Sequence, residues 1–117
     1  MTRALKTHWH NIAFNGLILQ EIVDHPLDDE TPQARLKEIG MMTVLYAMSQ
    51  AHQPLTLTNI SELLKLTRSG AKETVDLLVK RGMLTQTMVK NSMGRGTARQ
   101  FEISKELLDK LSSFQSV

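Results

Sequence analysis

Residues 59–102 read NISELLKLTRSGAKETVDLLVKRGMLTQTMVKNSMGRGTARQFE. The stretch predicts two short helices, a turn, and two strands around a wing. Thr58 or Asn59 starts the first helix, which runs through Leu66. Asn59 and Glu62 have the spacing of a capping pair. Ile60, Leu63, Leu64 and Leu66 are its expected buried side. Thr67 is the expected N-cap of a second helix over residues 68–81. There Ala71, Val75, Leu78 and Val79 fall at helical spacing and form an inner stripe, with Ser69, Lys72, Glu73, Asp76 and Lys80 on the outer side. Gly82 can take positive φ just past the last turn, where a terminating glycine belongs. Beyond it, Leu84, Gln86, Met88 and Lys90 alternate with Thr85, Thr87 and Val89, the period of a half-exposed strand. Strands over residues 83–91 and 98–103 then flank a basic, glycine-rich tip, Ser92-Met93-Gly94-Arg95-Gly96-Thr97. Helix, turn, helix, strand, wing, strand is the order of a winged helix-turn-helix.

Charge divides along the same line. Residues 65–99 hold eight bases, Lys65, Arg68, Lys72, Lys80, Arg81, Lys90, Arg95 and Arg99, against the two acids Glu73 and Asp76. The first 34 residues hold Arg3 and Lys6 against Glu21, Asp24, Asp28, Asp29 and Glu30. A net charge of +2 therefore conceals a basic half and an acidic half. The basic half coincides with the helix and wing that would face a phosphate backbone.

Working outward, residues 3–24 predict a long helix. Leu5, Trp9, Ile12, Gly16, Leu19 and Val23 step by four and three in alternation, close to a coiled-coil rhythm, while Phe14, Leu17, Ile18 and Ile22 widen the apolar surface. The helix is apolar on more than one face, so the surplus face is expected to meet a partner, and a second copy of the chain is the expected one. The bland reading is a helix laid over its own core. His25-Pro26 breaks it, and Asp28-Asp29-Glu30 reads as a solvated linker. Thr31-Pro32 opens another helix, with Thr31 as N-cap and Pro32 at the first helical position. Leu36, Ile39, Met42, Val44, Leu45, Tyr46 and Met48 are its core candidates. Leu55-Thr56-Leu57 is a candidate first strand. Residues 104–114 predict a last helix capped by Ser104, with Leu107, Leu108, Leu111 and Phe114 on its apolar side.

The run Leu78-Val79-Lys80-Arg81-Gly82-Met83-Leu84 resembles the exit from the recognition helix in MarR-type winged-helix transcriptional regulators. Gln100-Phe101-Glu102-Ile103-Ser104 is similar to the strand that leaves their wing. The likeness spans residues 36–114, and its specific part is the central motif. It departs at the wing, where the family's Asp-x-Arg pair is missing and no acid is present. Gly94-Arg95-Gly96-Thr97 is also similar to the wing of GntR-type regulators. The resemblance implies a bacterial DNA-binding regulator, dimerised through its terminal helices, with a small-molecule effector between those helices and the winged core.

The chemistry expected of the central motif follows. The helix over residues 68–81 enters the major groove with Thr67, Arg68, Ser69, Gly70, Lys72 and Glu73 in its first turns. Arg68 suits a bidentate contact to guanine, Ser69 suits several bases, and Gly70 permits close backbone approach. Lys65, Lys72, Arg95 and Arg99 suit phosphates or the minor groove beside the wing. Against this stands the plain reading of solvated surface charge, with Asp76 pairing to Lys72 or Lys80 four residues away. Glu73 and Asp76 keep a second function open, a winged-helix module that binds protein.

Other classes find little footing. No Gly-rich phosphate loop, nucleophile motif or paired carboxylate constellation is present, so no enzyme and no cofactor is expected. There is no Cys. His8 and His10 flank Trp9, but two rings two residues apart on a helix point about 200° apart, so no metal site is expected. No apolar run reaches the ~18 residues of a membrane span. Asn15, Gln20 and Glu21 interrupt any signal-like stretch, which leaves a cytoplasmic location as the expectation. The predicted whole is one α+β domain over residues 1–117, mostly helical. It has a dimerising helix at 3–24, a winged helix-turn-helix core at 32–103 and a short C-terminal helix at 104–114. Its predicted function is that of a homodimeric double-stranded DNA-binding repressor.

Overall fold

The computed structural model describes the backbone of residues 2–90 and 97–115 and the side chains of residues 12–90 and 99–113. Within these residues the order is α1 (Thr2–Asp24), α2 (Pro32–Gln50), β1 (Leu55–Thr56), α3 (Leu57–Leu64), α4 (Arg68–Lys80), β2 (Leu84–Lys90), β3 (Thr97–Ile103) and α5 (Lys105–Gln115). The three strands form one antiparallel sheet with β3 in the centre, between β1 and β2. This is a winged helix: α3 and α4 are the helix-turn-helix, and β2 and β3 are the arms of the wing.

Local chemistry accounts for the boundaries. The Thr31 hydroxyl accepts from Ala34 N–H at 3.0 Å, and Pro32 follows it at the helix start. Thr67 caps α4 in the same way through Gly70 N–H at 3.0 Å. Ser104 caps α5 through Leu107 N–H at 3.2 Å. Gly82 has φ of +81°, a value that glycine adopts without the Cβ clash of other residues, and it turns the chain from α4 into β2. The α3–α4 turn has a less obvious device. Lys65 takes the left-handed conformation (φ 55°, ψ 37°) as the C-cap of α3, and Leu66 N–H returns to the Ser61 carbonyl at 3.1 Å.

One core joins these elements. Phe14, Ile18 and Ile22 of α1 meet Met42 and Leu45 of α2, with Phe14 stacked on Tyr46 at 3.9 Å between ring centroids. Val75 and Leu78 of α4, Leu84 and Phe101 of the sheet, and Leu107 and Leu111 of α5 complete it. Among the described residues no helix is long and apolar enough to cross a membrane.

Several expectations are corrected. α3 begins at Leu57, and its cap is Thr56, whose hydroxyl accepts from Asn59 N–H at 3.1 Å. Neither Thr58 nor Asn59 is the cap, and the Asn59 amide donates to the Pro54 carbonyl instead. The earlier start sets the inner face to Leu57, Ile60 and Leu64. Leu63 is therefore exposed, as is Leu66 beyond the left-handed turn. Leu36 is 69% exposed rather than core, because it lies about 180° around α2 from Leu45. Glu30 is no solvated linker residue: its side chain is fully buried against Arg81. Arg81 in turn is 4% exposed, so its charge is spent inside the fold and is not available to a phosphate. The Phe114 side chain lies outside the described residues.

Candidate nucleic-acid interface

The position of α4 is set by its apolar side. Ala71, Thr74, Val75 and Leu78 are buried, and this leaves Arg68, Ser69, Lys72, Glu73 and Lys80 in solvent on the opposite side. Among the described residues Lys65, Arg68, Ser69 and Glu73 have no side-chain partner, so their polar atoms are free to engage a ligand. Gly70 has a structural reason of its own. A Cβ there would come within 3.1 Å of the Thr67 hydroxyl oxygen, so glycine keeps room for the cap that starts the helix.

Lys72 and Arg99 are committed differently. Lys72 Nζ donates to Asp76 Oδ2 at 2.8 Å, a pair four residues apart on the exposed side. The second cation on Asp76 is Arg99, not Lys80: Arg99 Nη2 donates to Asp76 Oδ1 at 2.7 Å. Arg99 Nε also donates to Gln86 Oε1 at 3.0 Å, and its guanidinium lies 5.0 Å from the Phe101 ring centroid. Arg99 thus ties β3 and β2 to α4. Burial works to raise the Asp76 carboxyl, but the hydrogen bonds from Lys72 and Arg99 outweigh it and hold it below its ordinary value. Asp76 pairs with Lys72 as the spacing predicts, and it also joins α4 to the wing through Arg99. Gln86, two residues from the start of β2, was not singled out, because nothing in a lone glutamine on a strand signals such a contact.

The middle of β2 stands clear of the core. Thr85, Gln86, Thr87 and Met88 are exposed on both faces of β2, whereas a sheet packed on the core would bury alternate residues. Arg95, with the tip at residues 91–96, lies outside the described residues. The connector between α1 and α2 flanks α4 on another side. A cleft of about 650 Å³ separates Asp28 and Asp29 of the connector from Lys72, Glu73, Asp76 and Lys80 of the helix. A second open cleft of about 460 Å³ lies between the end of α2, β1, β3 and Leu108 of α5.

Of the expected dimer residues, Leu5 and Trp9 have side chains outside the described residues. Ile12, Leu19 and Val23 are 47%, 51% and 55% exposed, and Gly16 opens onto empty space. They form one stripe on the side of α1 opposite Phe14 and Ile18. Among the described residues no group of His, Asp or Glu side chains is arranged to hold a metal ion.

No family model matches the chain, and no curated protein matches it. Two chains of solved structures do. One is the adhesin competence repressor AdcR of Streptococcus pyogenes, which is 20% identical with a TM-score of 0.43. The match covers 86% of this chain and 66% of that one, so the present chain spans just under two thirds of the repressor's length.

Proposed function

We propose that the chain is a sequence-specific double-stranded DNA-binding transcriptional regulator of the MarR-like kind, cytoplasmic, bacterial and without enzymatic activity. It acts as a homodimeric repressor. The observation that carries this reading is the exposed, unpartnered start of α4. Arg68, Ser69 and Glu73 stand free on the second helix of a helix-turn-helix, with Lys65 in the turn before them and a wing braced beside them. α4 enters the major groove, and Arg68 and Ser69 read base edges. Lys65 and Lys72 hold phosphates, and the wing with Arg95 lies on the adjacent backbone or minor groove. Arg99 serves this site chiefly by fixing the wing. The stripe Ile12, Gly16, Leu19 and Val23, whose spacing Leu5 and Trp9 extend in the sequence, supports pairing of two chains through α1, which would bring two α4 helices to half-sites about one duplex turn, roughly 10 bp, apart. For a small-molecule effector, the cleft beside α5 is the space between a terminal helix and the winged core.

A second reading, a winged helix that binds protein, draws support from the acids Glu73 and Asp76 and from the acidic connector on the flank of α4. Selection of binding sites from a randomised duplex pool separates the two. A regulator enriches a two-fold symmetric sequence with half-sites spaced by one turn. A protein-binding module enriches none.

A further inference from the structure

Glu38 lies on the inner face of α2, in helical register with Met41, Met42 and Leu45, where an apolar side chain is the ordinary choice. Its side chain is fully buried, as is that of Glu30 in the connector, and Arg81 at the exit of α4 is the cation between them. Arg81 Nε donates to Glu38 Oε1 at 2.6 Å, Nη2 donates to Glu30 Oε1, and Nη1 donates to the His25 carbonyl. Every nitrogen of the guanidinium is therefore engaged. Glu30 Oε1 also accepts from Leu27 N–H at 3.4 Å. The second oxygen of each carboxyl, Glu30 Oε2 and Glu38 Oε2, is buried with no donor.

Two carboxylates against one guanidinium would leave a net negative charge in a site closed to water, which is strongly unfavourable. Both orphaned oxygens would also remain unsatisfied, because an ionised carboxyl only accepts. One proton removes both problems. Placed on Glu38, it cancels the surplus charge and gives Glu38 an O–H that donates to Glu30. We propose that Glu30, Glu38 and Arg81 form a one-proton clasp that pins the α1–α2 connector to the exit of α4 and loosens when the proton leaves.

The titration of the pair agrees with this geometry. Burial and the hydrogen bond with Glu30 push the Glu38 carboxyl up to about 7, against the pull of Arg81. Burial would also raise Glu30, but its hydrogen bonds with Glu38 and Arg81 prevail and hold it below its ordinary value. Among the described residues, most other ionisable groups on the packed elements are solvent-facing or already matched, and Tyr46 of α2 is buried, its hydroxyl pushed up by burial. His25, Asp28 and Asp29 of the connector, Asp24 of α1, Glu73 and Lys80 of α4, and Lys37 of α2 are exposed, and Arg35 is half-buried. Glu21 is paired with Lys110, and Asp76 with Lys72 and Arg99. The clasp also fixes the acidic wall of the cleft beside α4. Its existence is independent of DNA binding; any effect on DNA affinity would rest on the proposed function.

The test is the pH dependence of folding in the full chain. The folded value of Glu38 lies above the unfolded one, so its contribution is fully present below about 4.5 and is lost as pH rises through about 7. From pH 5 to pH 8 the folding equilibrium constant should fall about 70-fold relative to Glu38→Gln, whose neutral amide both donates and accepts. Carbon-13 NMR of the glutamate carboxyls should show one titration near neutrality. In Glu30→Gln, where one carboxylate faces one guanidinium, that titration should move down toward the ordinary range. The idea is overturned if every glutamate of the native chain titrates in the ordinary carboxylate range. Parallel pH profiles for the native chain and Glu38→Gln would overturn it too. The native-chain titration decides the matter alone should a variant fail to fold.

Discussion

The bridge from Asp76 to Arg99 ties the wing to α4, and a double-mutant cycle measures it. Asp76→Asn keeps the shape of its side chain and Arg99→Gln shortens its own, and together they remove the opposite charges. The side chains are 39% and 21% exposed, so solvent screens part of the attraction. Exposed pairs contribute about 0.2–1 kcal/mol, and hydrogen bonds to charged groups about 1.5–3 kcal/mol. A half-exposed pair at 2.7 Å belongs between these limits, and a coupling of about 1 kcal/mol is expected. The loss of the Arg99–Phe101 contact appears in the single Arg99 variant and cancels in the cycle. Urea unfolding of the four proteins gives the coupling. Its sign with pH is also set. Asp76 is held below its ordinary value of 3.8, so the coupling is present at neutral pH and is lost as acid carries it through its depressed folded value. The same bridge has a consequence for DNA. Asp76→Asn removes a negative charge, which by charge alone would strengthen binding; loss of the Arg99 anchor should instead weaken it. A coupling below about 0.3 kcal/mol, or tighter DNA binding by Asp76→Asn, would refute the bracing role.

Gly82→Ala should destabilise the fold by about 1–2 kcal/mol in urea unfolding, since a Cβ is strained at φ of +81°. Leu19→Glu should convert dimer to monomer in sedimentation velocity while the far-ultraviolet spectrum stays unchanged, because Leu19 is outside the core of its own chain. Lys72→Ala should weaken DNA binding evenly across sequences and lower the slope of log affinity against log salt by about 1; a loss confined to one base would contradict a phosphate contact.

The sequence carried the architecture because its signals are local. Thr67, Gly82, Thr31-Pro32 and Ser104 act within one helical turn, and each is found in its expected role. Reading failed where the signal is geometric. The left-handed Lys65 has no residue-type signature, and it turns Leu66 outward. Arg99 needed a partner 23 positions away, and Arg81 needed partners 43 and 51 positions away, so both looked like free bases. Glu38 was the exception that could have been found: an acid in register with Met42 and Leu45 advertises a buried charge and a distant cation. The candidate reading residues were legible as a group because the inner stripe of α4 defines what its outer side must be. The contact that each makes was not legible, since this depends on a ligand.

The most direct test of DNA reading is fluorescence anisotropy with two labelled duplexes, one from upstream of the chain's own gene and one scrambled, over a range of salt. The account predicts tight binding to the first, two chains per site, and affinity that falls steeply with salt as phosphate contacts release counterions. No binding to either duplex at low salt would contradict it, and α4 would then be a surface for protein.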